Sequence, residues 1–175
     1  MTKIYTKSGD DGFTGLYGGS RVRKNSLIVK CYGTIDEVIA SLGLAYATTN
    51  NLEIKNQIRQ VQVQLSTLAA EFSSDENGLS KLEKFINEDD ILALEQGIDK
   101  IYQVIDVQSD FIIPGANLTS AQLHLARTIC RRFERLLIDL EEEESIREET
   151  LIYVNRLSDY LFALARYEEH LEANK

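Results

Sequence analysis

Tryptophan is absent from this chain, proline occurs once, and cysteine and histidine occur twice each. A single proline in 175 residues argues against a turn-rich all-β design. Cys31 and Cys130 lie far apart with no CxxC pair, which leaves neither a zinc site nor a disulfide framework. Two isolated cysteines suit a reducing compartment, and the cytoplasm is the expected location. Neither His124 nor His170 follows a glutamate by three residues, so the Glu-x-x-His pairs of a di-iron bundle are missing. HExxH and GxSxG are also missing, and no resident metal site of protein ligands is expected. No apolar run approaches membrane-spanning length, and MTKIYTKSGD has no apolar leader segment. No membrane partner is expected.

Basic residues are in the minority, 19 against 28 acidic, for a net charge of −9. The deficit is uneven. Residues 1–30 carry six Lys or Arg against two Asp, or +4, so the remaining 145 residues carry −13. An acidic body disfavours nucleic acid as a partner. At 43% hydrophobic and 27% charged, the chain fits one domain with a full core. The expectation is a single domain over 1–175, with a basic glycine-rich segment at 1–30 and a helix bundle at 31–175.

One stretch, ARTICRRFER (126–135), carries most of the chemistry. As a helix it places Arg127, Arg131 and Glu134 on one face. Leu123, Ala126, Cys130, Phe133, Leu137 and Leu140 form the adjoining apolar stripe. Arginines bordering a buried stripe are costly unless an anion meets them. The pattern predicts half of an anion-binding site.

The head, KIYTKSGDDGFTGLYGGSRVRK (3–24), holds five of the ten glycines. Its backbone can approach a ligand closely, and its amides and basic side chains suit a polyphosphate. It matches neither GxxxxGK[ST] nor GxGxxG. Tyr5, Phe13, Leu16 and Tyr17 set it apart from a disordered tail.

Apolar spacing predicts helices over about 32–46, 52–75, 89–104, from Thr119 through the arginine stretch, and 150–171. Thr119 and Gln122 match a capping box. Asp36 lies one residue from the first apolar stripe and is a candidate partner for the arginines. Asn155, Asp159, Phe162 and Arg166 recur along the border of the last helix. In DFIIPGANLT (110–119), Phe111, Ile112 and Ile113 either plug the bundle or wall a ligand. The seven acidic residues between Asp139 and Glu149 read as a solvated helix end. The fold class is all-α: a five-helix up-and-down bundle behind a glycine-rich nucleotide-binding loop. Cations, a glycine loop and few proton-transfer groups suit a reaction whose leaving group is a phosphate chain.

Five blocks, YTKSGDDGFTGLYGG, YGTIDE, FIIPGA, ARTICRRFER and YVNRLSDYLFALAR, stand in an order that resembles the PduO-type ATP:cob(I)alamin adenosyltransferases. The resemblance covers nearly the whole chain. It implies a homotrimer with active sites between subunits, ATP and cob(I)alamin as substrates, and Mg2+ with the nucleotide. It implies attack of corrinoid cobalt(I) on the 5′ carbon of ATP, giving adenosylcobalamin and triphosphate. A reductase or an adenosylcobalamin-dependent enzyme is a possible protein partner. A non-catalytic nucleotide- or corrinoid-binding bundle is the alternative reading.

By the same resemblance, Thr6, Lys7, Ser8, Gly9, Thr14, Gly15 and Lys24 are ATP-binding positions. Arg131, Arg132, Glu134 and Arg135 match the triphosphate and magnesium region, and Asn155 a further ATP contact. Asp36 and Arg127 resemble an intersubunit ion pair near the corrinoid. Phe111 resembles the aromatic that occupies the lower corrin face and keeps a base ligand off cobalt. With Arg131, these three form the expected catalytic set. Ser8 stands where threonine is common, and Ala116 where a second glycine is frequent.

Overall fold

The computed structural model describes residues 4–5, 7–107 and 111–174. Among them the chain forms a short antiparallel hairpin, β1 (Phe13–Gly15) with β2 (Arg21–Arg23), and then six helices. These are α1 (Leu27–Thr48), α2 (Leu52–Phe72), α3 (Glu76–Leu79), α4 (Glu88–Tyr102), α5 (Leu118–Glu141) and α6 (Glu148–Ala173). The protein is therefore mostly helical rather than all-α. Three-residue strands are too short to show a period of two, which is why the head carried no strand signal. The pairing sets Phe13 opposite Arg23, Thr14 opposite Val22 and Gly15 opposite Arg21.

The five long helices share one core. Helix α5 packs between α1 and α6, α2 lies against α1, and α4 lies against α6. The stripe read from α5 is the centre of this core. Leu123, Ala126, Cys130, Phe133 and Leu137 are wholly buried, and Leu140 nearly so. Each large apolar side chain among them contributes roughly 1.5–3 kcal/mol by leaving water. Ile54, Ile58, Val61, Leu65, Leu68 and Phe72 of α2 are buried too, and Phe72 meets Phe133 edge-on at 5.9 Å.

Helix α6 is buried on more than one face. Tyr153, Leu157, Tyr160, Ala163 and Leu164 join Val154, Leu161 and Ala165 inside, because α4 and α5 cover two sides of it. Tyr153 Oη donates to Gln64 Oε1 at 3.0 Å, and Gln64 Nε2 donates to Asp90 Oδ1 at 2.8 Å. That chain ties α6, α2 and α4 through a core in which every unmet polar group would be costly.

Helix boundaries follow local capping more than periodicity. Helix α1 starts at Leu27 after Ser26, so the basic head ends before residue 30 and Asp36 lies well inside the helix. Asn117 and Ser120 form the capping box of α5, in place of Thr119 and Gln122. Asn117 Oδ1 accepts from the Ser120 amide at 2.8 Å, which satisfies an orphan donor two residues earlier than expected. Thr119 and Gln122 instead meet Thr48 Oγ1, at 3.0 and 3.2 Å, and tie α5 to the end of α1. Asn87 and Asp90 box the start of α4 in the same way as Asn117 and Ser120.

Gly97 on α4 lies where the Tyr160 ring arrives, and a Cβ there would sit 2.5 Å from Tyr160 Cε2. Gly97→Ala should therefore lower stability by about 1–3 kcal/mol despite alanine's better helix propensity. Chemical denaturation measures it. A gain of stability would show that the ring moves aside freely.

Candidate functional site

The basic head folds into a groove. Ser8, Gly9, Phe13, Thr14, Gly15, Arg21 and Lys24 line an open depression of about 450 Å³. Five of the residues expected at a nucleotide, namely Ser8, Gly9, Thr14, Gly15 and Lys24, thus converge on one surface. Lys7 lies at the edge of this turn with φ 61°, and its carbonyl accepts from the Asp10 amide at 3.3 Å. Thr6 lies outside the described residues. A Cβ on Gly9 would sit 3.0 Å from Lys24 Nζ, so glycine lets the ammonium lie close to the backbone.

Two groove residues had no assigned role from the sequence. Arg21 donates to the Ser8 carbonyl and to Asp11 Oδ1, the latter at 2.9 Å, and so braces the turn from Ser8 to Asp11. The Phe13 amide and Arg21 together hold the Asp11 carboxyl below its ordinary range. Phe13 lies under the guanidinium groups of both Arg21 and Arg23, at 5.7 and 5.4 Å. Its aromatic character was the only signal, and it marked order rather than a site.

The second group is on α5 and α6. Arg131, Arg132 and Arg135 are exposed, while Arg127 and Glu134 are half-buried. Glu134 Oε1 accepts from Asn155 Nδ2 at 2.8 Å, joining two of the expected site residues across the helix pair. Arg132 is paired within the chain to Glu37 of α1, a partner that sequence spacing did not indicate. Arg131 and Arg135 have no ion pair among the described residues, so one face of α5 presents uncommitted guanidinium groups. Lys24 and Thr14 make no bond to Arg131, Arg132 or Arg135 within one chain.

Arg127 points its guanidinium toward the Phe162 ring at 5.9 Å, and its Nε is buried without a hydrogen-bond partner. Burial, then the neighbouring Arg131, lowers its affinity for its own proton. Asp36 is exposed and does not pair with Arg127 in the same chain. The two stand on neighbouring helices with their charges unmatched to each other. Phe111 is 99% exposed and Ile113 is 88% exposed, so this loop does not plug its own bundle. Asp110, just before it, lies outside the described residues.

His124, one turn before Arg127, is buried with neither ring nitrogen hydrogen-bonded. It meets the Phe162 ring edge-on at 5.8 Å, and its Nε2 lies 3.9 Å from Glu169 Oε1. Burial first, and then Arg127 and Arg166, lower its pKa to about 4. Next to it, Arg166 and Glu169 line an opening of about 610 Å³ with Ile105, Asp106, Val107 and Ala116. The sequence placed Arg166 on the α6 border and gave no sign of His124. Among the described residues, no group of three or more His, Cys, Asp or Glu side chains could hold a metal, and no helix is long and apolar enough to cross a membrane.

Residues 4–168 match the family model described as cobalamin adenosyltransferase. A corrinoid adenosyltransferase of Citrobacter freundii is 48% identical over 169 residues, covering 97% of this chain and 96% of that protein. The PduO corrinoid adenosyltransferase of the same organism is 40% identical, and the match takes in 95% of this chain but 50% of that longer protein. Among solved structures, an alanine-for-phenylalanine variant of a PduO-type ATP:corrinoid adenosyltransferase from Lactobacillus reuteri, complexed with cobalamin and ATP, superposes with a TM-score of 0.91. It is 36% identical over 98% of this chain and 96% of that one. A lysine-for-arginine variant from the same source, complexed with ATP, has a TM-score of 0.89 at 36% identity.

The buried histidine sets a pH dependence. Its folded-state pKa lies below the unfolded value near 6.5, so its stabilising effect is complete above about pH 6.5. It is lost as pH falls toward 4. The melting temperature should drop through that window by roughly 2–4 °C per kcal/mol lost. His124→Leu should flatten this limb in calorimetric scans, and an unchanged slope would assign it to the carboxylates alone.

Proposed function

This chain belongs to the cobalamin adenosyltransferase family, and from that premise we propose that its glycine-rich groove seats ATP while the free guanidinium face of α5 holds the phosphates. The chain is a corrinoid adenosyltransferase, moving the 5′-deoxyadenosyl group of ATP to the cobalt of cob(I)alamin with release of triphosphate. The observation that carries the residue-level reading is the convergence of Ser8, Gly9, Thr14, Gly15 and Lys24 on one groove.

In this reading, the amides of the Ser8–Gly9 turn and the Lys24 ammonium grip the nucleotide's phosphate tail. Arg131, Arg132 and Arg135 take up the charge that grows on the triphosphate as the carbon–oxygen bond breaks. Displacement at a carbon needs no proton transfer, so positioning and charge stabilisation carry the rate. Asn155 holds Glu134 in place beside this row. A single carboxylate suits Mg2+ carried in by the phosphates, since that ion needs only one or two protein oxygens beside them. Glu134 would hold the ion there, and the ion would neutralise phosphate charge.

The groove lies on the hairpin and the arginine face on α5, and a site completed by a second copy would bring the two together. A homotrimer places the groove of one subunit against α5 of the next. It also gives Asp36 and Arg127 partners across the interface, and it gives the exposed Phe111 loop a flat macrocycle to cover. Phe111 then shields the lower face of cobalt from a base ligand, which makes the cobalt(II) form easier to reduce. The five long helices act as an up-and-down scaffold for this site. Cys31 and Cys130, buried and unbridged, suit the cytoplasm.

Anaerobic assays with reduced corrinoid should yield triphosphate as the phosphorus product by 31P NMR. Diphosphate or single phosphate would contradict the reading. Arg131→Ala should lower kcat by about 10²–10³-fold, the size of losing one preorganised charge donor. Phe111→Ala should leave ATP affinity intact and reduce turnover most from cobalt(II). Equal loss from both cobalt states would remove its redox role.

A further inference from the structure

Among the described residues, the hydrogen bonds that fasten the glycine-rich hairpin to the bundle gather at the corner between α2 and α3. Tyr17 donates its amide to the Ser73 carbonyl at 2.8 Å and accepts from the Asp75 amide at 2.9 Å. Asp75 then uses both carboxylate oxygens. Oδ2 accepts from the Ser20 amide at 2.8 Å, and Oδ1 accepts from the Gly78 amide at 2.9 Å, which caps α3. Asn77 Nδ2 donates to the Gly18 carbonyl at 3.0 Å. One short segment, Ser73–Gly78, thus holds residues 17, 18 and 20 of the hairpin through four bonds, with a fifth inside the segment.

The fit leaves no room for side chains at two glycines. A Cβ on Gly18, whose φ is 119°, would lie 1.6 Å from Asp75 Oδ1. A Cβ on Gly78 would lie 1.9 Å from the Tyr17 carbonyl oxygen. Backbone therefore meets backbone, and the contact cannot slide. Ser20, through its side chain and amide, and then the Gly78 amide, hold the Asp75 carboxyl at about 2, so the fastening is ionised in any physiological buffer.

We propose that Asp75 is a positioning residue for the nucleotide, fastening the loop between β1 and β2 so that the groove is set before ATP arrives. This inference rests on reading that groove as the ATP seat. The loop from Leu16 to Ser20 joins the two strands whose Phe13, Thr14, Gly15 and Arg21 line the groove. Beyond the fastened corner, what keeps Lys24 opposite Gly9 is internal to the head: the three-residue pairing, the Lys24 amide on the Gly12 carbonyl at 3.0 Å, and the Arg21 brace on Ser8 and Asp11. Loosening the corner means that ATP must order the hairpin as it binds, and this weakens binding without touching the reacting atoms.

Two variants approach the fastening from opposite sides. Asp75→Ala removes both acceptors, whereas Gly18→Ala keeps the carboxylate and drives the hairpin away from it, since its Cβ would lie 1.6 Å from Asp75 Oδ1. Both should raise the KM for ATP by about tenfold or more, with kcat at saturating ATP within about twofold and the KM for corrinoid unchanged. Asp75→Asn, which retains one acceptor oxygen, should fall between. Hydrogen exchange across residues 13–23 should quicken in Asp75→Ala without ATP and slow again with it. Lys24→Ala is the companion control. If it raises the KM for ATP while Asp75→Ala and Gly18→Ala do not, the groove stands and the positioning role of Asp75 is overturned. If none of the three changes the KM for ATP, the groove reading fails and takes this inference with it. A fall in kcat and melting temperature alone, at constant KM for ATP, would show that Asp75 is merely structural.

Discussion

The structure depends on a conflict along α5. One side of the helix is the wholly buried stripe of Leu123, Ala126, Cys130, Phe133 and Leu137, and the next side is a row of arginines. Burying the stripe sets the row at the rim of the core, a concentration of like charge in which Arg127 is half-buried and Arg131, Arg132 and Arg135 stay exposed. Arg132 resolves this with Glu37, but Arg127 keeps a buried Nε without an acceptor, and Arg131 and Arg135 keep no ion pair among the described residues. On the proposed reading, these groups wait for an anion from outside the chain. For a corrinoid adenosyltransferase, the triphosphate of ATP is the natural counter-charge.

The other functional pieces are also incomplete alone. Phe111 and Ile113 stand in solvent, and Asp36 is exposed beside a helix whose Arg127 it does not meet. The groove formed by the head holds Lys24 close to the Gly9 backbone, on a different element from the arginine row. These surfaces, on one well-packed body, are what the proposed assembly from copies would bring together. The core supplies rigidity: α5 lies between α1 and α6, so its arginines share one frame with Asn155 and Asp36.

Much of this was legible in the sequence because it obeys local rules. The period of 3.6 in α5 identified its buried residues correctly, since the stripe is the helix's dominant packing face. Helix α6 is buried on two sides, which blurs any single stripe. The α5 cap was placed two residues late, since Asn117 with Ser120 satisfies the same orphan amides as Thr119 with Gln122 could. The hairpin was invisible, being shorter than any strand period. Asp75 lay in a turn that looked purely structural, because its partners are 55 residues away in Ser20 and three away in Gly78. His124 was silent for a related reason. What makes it unusual is the absence of bonds to a buried ring, which no spacing encodes. The residue-level assignments of ATP and corrinoid positions came from the family resemblance and from glycine and arginine placement together.

The claim that one subunit's groove works with another's arginine row can be measured by mixing two inactive proteins. Subunits carrying Lys24→Ala keep a sound arginine row, and subunits carrying Arg131→Ala keep a sound groove. Co-refolded as mixed oligomers, they should recover about a quarter of wild-type turnover, the share of interfaces that pair two intact halves. No recovery, with mixed oligomers shown to form, would place groove and arginines in the same subunit's site and contradict the account.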